Sequence, residues 1–486
     1  MMRRAIAPTK NPRIDTVRQQ VYLELRRAIE QGTFKPGTRL PASREQAKTL
    51  GVSRNSVLWA LERLQSEGYV VARVGDGSYV ADNLGALASS AKPPKGLRPS
   101  IAAGLSQRGQ LVADTVLRWN PPLQAAQPFR IGAPEVATFP FAMWDRLARQ
   151  ATKDQRMAQA QYLDPAGSPA LRDAIAQWLW VSRGIRCEAA QVVVCSGSQQ
   201  GIDLVGRLLL DVGDEAWVED PGYPGIRANL VGHGVTVRPV PVDGEGLVVE
   251  QAAALWPKAR LAVVTPTSQF PTGVRMSLQR RLELLDWANA QRAWIVEDDY
   301  DGEFQYGTHR LPALCSLPHA QRVLYVGTFS KTLHPGLRLG FVVLPHALAG
   351  AFAMARALTD RHSPGDAQEV LARFITDGHL LRHLRRMREL YPQRQQVLID
   401  AMAKASKGQL LLQPSEQGMH LLHELPAGQD DQGLSARAQE AGILLAPLSR
   451  YTIQSKRRGW LFGYAGYDTA ALRRAAANVA KLLQHP

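Results

Sequence analysis

Two kinds of hydrophobic pattern run along this chain, and they divide it. From residue 13 to 82 the apolar positions repeat at helical spacing: Val17, Val21, Leu25 and Ala28 fall on one face of a first helix. After the loop Gly32-Thr33-Phe34-Lys35-Pro36-Gly37, a short helix is predicted from about Ser43 to Leu50, broken by Gly51. A further helix from about Ser53 to Gly68 keeps Val57, Leu61 and Leu64 on its buried face, with Ser53 as N-cap. Tyr69 to Val80 has alternating character, with Gly75-Asp76-Gly77 at the tip of a hairpin.

From residue 127 to 486 short apolar runs alternate with helical patterns. The runs are Gln191–Cys195, Glu215–Val218, Leu261–Val264, Ala293–Val296, Val323–Val326 and Leu339–Leu344. This alternation predicts a mostly parallel sheet wrapped by helices. Residues from about 375 to 486 read as a smaller α/β lobe that begins with the basic helix His383-Leu384-Arg385-Arg386-Met387-Arg388. Between the two regimes, residues 83–126 are rich in Ala, Ser, Pro, Gly and basic residues, and Asp114 is the only acid between Lys92 and Arg130. They read as a flexible basic linker with one short helix near Gly109 to Leu117. As a coil it spans roughly 35 Å, enough to carry the first unit to a neighbouring subunit.

At 486 residues the chain is too long for one ordinary compact domain. Its formal net charge of +15 favours a polyanionic partner, most simply nucleic acid. The three cysteines, Cys187, Cys195 and Cys315, have neither zinc spacing nor an even disulfide framework, so no metal is expected and a reducing cytoplasm fits. The opening MMRRAIAPTK is basic, but no apolar core of leader length follows. No run reaches the eighteen or so apolar residues of a membrane span.

A helix, a tight glycine turn and a second helix opening Ser53-Arg54-Asn55-Ser56 form a helix-turn-helix pattern, whose second helix enters the major groove. Arg54 can bond guanine bidentately and Asn55 can bond adenine. Arg44, with Arg73 and Gly75 on the wing, is placed for phosphates. The plainer reading is a three-helix bundle with exposed arginines. The residues carry more than the bare pattern. Gly37 to Arg44, Leu50 to Val57, Leu64, Glu67-Gly68-Tyr69 and Gly75 to Val80 resemble the GntR winged helix along its whole length. That resemblance implies that Arg44, Ser53, Arg54, Asn55, Ser56 and Gly75 lie at DNA-contacting positions of an operator-binding module.

In the larger unit, four apolar runs end in polar residues that one ligand can use together, because open α/β sheets bind ligands beyond the carboxyl ends of their strands. Lys331, in Gly327-Thr328-Phe329-Ser330-Lys331, follows a buried strand, and Arg338 comes seven residues on. The amine can form a Schiff base with the aldehyde of pyridoxal 5'-phosphate (PLP), and Thr328, Ser330 and Arg338 can hold its phosphate. The turn Ser196-Gly197-Ser198-Gln199-Gln200-Gly201 opens a helix and offers free N–H groups to phosphate. Asp298, in Glu297-Asp298-Asp299-Tyr300-Asp301, is the candidate for the pyridine nitrogen and Tyr300 for the ring hydroxyl. Gln269, in the turn Thr265 to Gly273, is a candidate at the ring edge, and Tyr223 for contact with the ring. Taken singly, these are also ordinary caps, an acidic loop and a core tyrosine.

In this order they resemble the fold-type I aminotransferases over about residues 127–486, most strongly in Tyr162 to Gly167 with Leu171-Arg172, in the Glu-Asp-Asp-Tyr turn and at Lys331. Behind a GntR winged helix, the whole resembles the MocR/GabR regulators, as does the His383–Arg388 run with Tyr391 and Arg394. The resemblance implies a multidomain protein: a winged helix-turn-helix at 13–82 and an α/β PLP-dependent transferase-like domain with a smaller C-terminal lobe. It implies a cytoplasmic regulator, a head-to-tail homodimer in which Lys331 holds PLP as an internal aldimine. An amine effector, or PLP itself, then changes domain arrangement and promoter binding.

Two departures bear on that picture. Family members commonly have His where this chain has Ser268. The run Gly459-Trp460-Leu461-Phe462-Gly463-Tyr464 resembles the strand where aminotransferases place a carboxylate-binding arginine, and here the position is Leu461. Arg450, Arg457 and Arg458 are near in sequence. The alternative reading, an active aminotransferase with a DNA-binding appendage, is weakened by that leucine. A regulator with a vestigial cofactor site is the third reading.

Overall fold

A computed structural model describes residues 17–73, 75–82, 104–119, 127–159, 161–307 and 311–484. The chain divides into two compact units, 1–104 and 105–486.

The first unit is a winged helix. Helices Val17–Glu30, Ser43–Leu50 and Arg54–Ser66 are followed by an antiparallel pair, β1 (Val70–Arg73) and β2 (Gly77–Val80). Val21, Leu25, Ile29, Val57, Leu61, Leu64, Val70 and Val80 form its core. Each such side chain contributes roughly 1.5–3 kcal/mol on burial. The first helix is turned from the expected face. Val17 is 53% exposed, whereas Tyr22 and Ile29 are buried, because the inner stripe advances by fours from Val21 through Leu25 to Ile29.

The larger unit is built on an eight-stranded sheet. Its strands are β3 (Val192–Cys195), β4 (Glu215–Asp220), β5 (Thr236–Asp243), β6 (Gly246–Leu247), β7 (Leu261–Val264), β8 (Trp294–Asp299), β9 (Val323–Thr328) and β10 (Gly340–Val343). Their order is β3-β10-β9-β8-β7-β4-β5-β6. β5, β4, β7, β8 and β9 are parallel, while β10 is antiparallel to both neighbours. β5, Thr-Val-Arg-Pro-Val-Pro-Val-Asp, lies outside the expected runs. β10 starts where its neighbours end: Gly340 sits opposite both Thr328 and Cys195. One reversed strand therefore carries its preceding residues to the same edge as the carboxyl ends of β9 and β3.

The smaller lobe has three antiparallel strands, β11 (His420–Glu424), β12 (Ala446–Pro447) and β13 (Gly459–Gly463), with the long helices His379–Ala405 and Thr469–Gln484 packed together. Phe129 bridges to Gly463, so the segment leading to Gly132 runs beside this lobe. Of the span read as linker, 83–103 and 120–126 lie outside the described residues. Within it, Gln107–Trp119 is a helix that packs on the helix Pro224–Gly232. The basic helix is two-sided. Arg382, Arg385 and Arg386 are exposed, while Arg388 pairs with Glu303 and Arg394 with Glu135, both at 2.5 Å.

Candidate functional site

A cavity of about 610 Å³ opens at the carboxyl edge of the sheet, where it meets the smaller lobe. Ser198, Gln199, Tyr223, Asp298, Tyr300, Thr328, Ser330, Lys331 and Arg338 all line it. The fold explains how residues so far apart in sequence converge. Asp298, next to last in β8, and Thr328, last in β9, lie at the carboxyl ends of adjacent parallel strands. Ser198 and Gln199 open the helix Ser198–Leu209 after β3, and Arg338 precedes the reversed strand between β9 and β3. The Arg338 guanidinium donates to Ser196 O at 2.8 Å, across the end of β3. Gly197 has φ of +104°, a conformation that suits glycine, and it lines the cavity together with Ser198 and Gln199 of the first turn of the following helix.

Strand alternation selects among the carboxylates of β8. Glu297 accepts from Leu314 N and Cys315 N at 2.9 and 2.8 Å. Asp299 pairs with Arg183 at 2.7 Å and accepts from Tyr325 Oη at 2.6 Å. Asp298 points to the other face, into the cavity, and its Oδ1 is buried with no hydrogen bond. Burial pushes its carboxyl up to about 7, with Asp299 and Glu219 adding to the rise and Lys331 opposing it. Burial also lowers the Lys331 amine, against the pull of Asp301. Its Nζ donates to Gly132 O at 2.8 Å. Ser330 Oγ and Gln199 Nε2 are likewise buried without partners.

Gln269 is the exception among the expected cavity residues. It is 1% exposed and does not line the cavity. Its amide nitrogen donates to Glu219 Oε2 at 3.1 Å, Pro221 O at 2.9 Å and Phe270 O at 2.6 Å, and its oxygen accepts from Thr272. With all its polar atoms engaged it ties two loops together behind the wall. Phe270 forms that wall, edge-on to Tyr223, Tyr300 and Tyr451.

Arg130, Gly132, His420 and Tyr451 also line the cavity. Sequence reasoning missed them because each comes from a separate segment with no motif of its own. Leu461 is fully buried against Ala446 and Tyr451. Ser268 is buried as well.

In the first unit, Ser53 caps the helix Arg54–Ser66 by accepting from Ser56 N at 3.2 Å. Arg54 Nε donates to Ser43 Oγ at 3.3 Å, tying the two helices of the motif together. Arg44, Ser53, Arg54 and Asn55 are exposed, and Ser56 is half-buried beneath them. On the wing Arg73 stacks over Tyr79 at 4.2 Å, and exposed Gly75 has φ of +78°.

Comparison with known proteins accounts for both units. Residues 17–80 match the bacterial regulatory proteins of the gntR family, and residues 138–479 match aminotransferase class I and II. The probable rhizopine catabolism regulatory protein MocR of Rhizobium meliloti is 38% identical, over 94% of this chain and 91% of the relative. The chain belongs to the MocR-type regulators. This MocR-type chain is also 32% identical to the HTH-type transcriptional regulator TauR of Rhodobacter capsulatus, over 94% of each. Its larger unit is similar to the α-aminoadipate aminotransferase LysN of Thermus thermophilus, solved with N-(5'-phosphopyridoxyl)-L-leucine. That likeness has a TM-score of 0.71 and 26% identity, and covers 79% of this chain and 98% of the enzyme. As a MocR-type regulator the protein is a DNA-binding transcription factor with an aminotransferase-like domain. Among its described residues no helix is long and apolar enough to cross a membrane, and no cluster is placed to hold a metal ion.

Proposed function

We propose that this regulator holds PLP at Lys331 and senses an amine through it. The observation that carries the reading is the set of unpaired buried atoms around one amine: Asp298 Oδ1, Ser330 Oγ and Gln199 Nε2, in the cavity that Lys331 lines. A buried polar group left unpaired calls for an explanation, and a ligand filling the cavity that these three share supplies one. The donors fit this cofactor from end to end. Ser198, Thr328, Ser330 and Arg338, with the helix N-terminus, suit the phosphate. Asp298 suits the pyridine nitrogen, Tyr300 the ring hydroxyl and Tyr223 the ring. When bound, PLP supplies an aldehyde carbon that a primary amine can take over from Lys331.

The winged helix would read a double-stranded operator through Arg54 and Asn55, with Arg44, Ser53, Ser56, Arg73 and Gly75 at the backbone. The working unit is a head-to-tail homodimer in the cytoplasm. An effector acts by binding one domain arrangement better than another, and a coupling of about 1–3 kcal/mol is typical. PLP itself is the second candidate signal, since its own loading changes the same cavity.

The test is spectroscopic. Protein supplied with PLP should gain visible absorbance that borohydride bleaches, leaving a pyridoxyl mass on the peptide containing Lys331. Lys331→Ala should bind DNA but show neither. A colourless wild type, or an unchanged reducible adduct in Lys331→Ala, refutes the assignment.

A further inference from the structure

Gln199 stands in the wall between two cavities. One is the cavity that Lys331 lines. The other, of about 310 Å³, lies against the helix Gln107–Trp119, whose Val112 and Thr115 line it with Gln199, Asp203, Asn229 and His233. The two titratable groups of this second cavity serve each other, with Asp203 Oδ1 2.9 Å from His233 Nε2. Its two amides are less well served. Gln199 Nε2 and Asn229 Oδ1 are both buried, and among the described residues neither has a hydrogen bond. One is a donor and the other an acceptor.

The helix Pro224–Gly232 brings the two atoms near each other. A Cβ on Gly225 would lie 2.9 Å from Gln199 Nε2, so that amide rests on the helix at this position. Asn229 follows one turn later on the same face. Helical side chains lean back toward the N-terminus, which inclines its amide toward the turn that holds Gly225. Asn229 Nδ2 already donates to Gln199 O at 3.5 Å. A carboxamide nitrogen carries two hydrogens, so Gln199 Nε2 can donate to Asn229 Oδ1 and to an anion in the first cavity together. The face that carries Gln199 also carries the linker helix: Val112 lies over Gly232, 3.5 Å from where a Cβ would stand.

We propose that Gln199 is a positioning residue that couples phosphate occupancy of the first cavity to the seating of the helix Gln107–Trp119. The phosphate holds the Gln199 amide from one side, and the second hydrogen of that amide engages Asn229 Oδ1 on the other. The helix Pro224–Gly232 then becomes a firmer platform for the helix that lies on it. Seating changes the reach of the chain. With the helix seated, residues 83–106 alone join it to the winged helix, whereas its release adds its 13 residues to the tether.

The inference rests on the cofactor reading above, and one experiment separates the two. Hydrogen exchange of the full-length protein, followed by mass spectrometry with and without saturating PLP, reads the seating in peptides covering residues 107–119. A visible band that borohydride bleaches reports loading independently. In the wild type, loading should slow exchange there by about fivefold, the worth of one hydrogen bond. Asn229→Leu should load PLP as the wild type does and lose the slowing. Asn229→Asp keeps the acceptor and should keep the slowing. Gln199→Leu, compared at PLP concentrations where its band is complete, should lose it. Equal slowing in wild type and Asn229→Leu, or no slowing in a wild type whose band is complete, overturns the proposal. Full slowing in Gln199→Leu does the same, which keeps the test independent of whether Asn229→Leu folds. A wild type that gains no band overturns the cofactor reading beneath it.

Discussion

Lys331 and Gly132, separated by 199 positions, meet at the cavity: Nζ donates to Gly132 O at 2.8 Å, and a Cβ on Gly132 would lie 2.6 Å from Nζ. Gly132 also has φ of +66°, so alanine there is strained twice. The first obstruction is the end of a flexible side chain, which can move. Gly132→Ala should therefore leave the fold intact and displace the amine. The expected result is near-normal melting with PLP attachment slowed or weakened about tenfold or more, read by borohydride trapping. Unchanged trapping would show that the contact does not position the amine.

Asp298 sets up a pH dependence whose sign follows from its raised pKa. Unfolded, its carboxyl titrates near 3.8; folded and without ligand, near 7. Below the lower value both states are protonated and burial costs nothing extra. The cost grows as pH rises and is complete above about 7, so stability conferred by a neutral Asp298 is lost across that window. Glu219, pushed up to about 7 by its own burial, acts in the same direction. Asp298→Asn should make the cofactor-free protein more stable at about pH 8, by on the order of 1–3 kcal/mol, and change little near pH 4, at the foot of that window. The same variant should hold PLP less tightly. Calorimetry of the cofactor-free protein at the two pH values checks the first outcome, and spectral titration with PLP checks the second.

The parts of this site that were legible in the sequence are those whose signal is local. β8 and β9 announce themselves as apolar runs, and Asp298 and Lys331 follow because ligands bind at strand ends. β5 was not legible, since Thr-Val-Arg-Pro-Val-Pro-Val-Asp mixes two prolines with two charged residues and depends on its pairing with β4. Nor was the direction of β10, which decides that Arg338 faces the cavity. Gln269 looked like a cavity residue because a polar side chain after a strand end gives the same pattern whether it turns toward a ligand or back toward Glu219. Of the arginines near Leu461 in sequence, Arg450 lines the cavity while Arg457 pairs with Glu424, a difference that only the fold decides.

Gln269 should matter through packing. Replacing it by leucine removes its donation to Glu219 Oε2, Pro221 O and Phe270 O, leaving buried acceptors with fewer partners. Gln269→Leu should cost about 1–3 kcal/mol, seen as a lower melting temperature of the larger unit. Because Phe270 carries the aromatic wall, PLP affinity should fall as well. A variant with wild-type melting and loading would mean that Thr265 alone can satisfy Glu219.

The winged helix gives the remaining prediction, with two separable parts. Arg54 is exposed on the first turn of its helix and steadied by Ser43, so its fork is available to a base edge. Arg54→Ala should cost about 1–3 kcal/mol in operator binding and relax discrimination at one base pair. Arg73, stacked on Tyr79 at the wing, is placed for the backbone, so Arg73→Ala should weaken all sequences alike and reduce the salt slope by about one. A dimer making about 6–10 phosphate contacts should lose roughly 10³–10⁵ in affinity between 50 and 200 mM salt. Fluorescence anisotropy with operator and scrambled duplexes across that range measures all three quantities. A flat salt response would remove the backbone role. An Arg54→Ala defect equal on both duplexes would move that arginine from the bases to the phosphates.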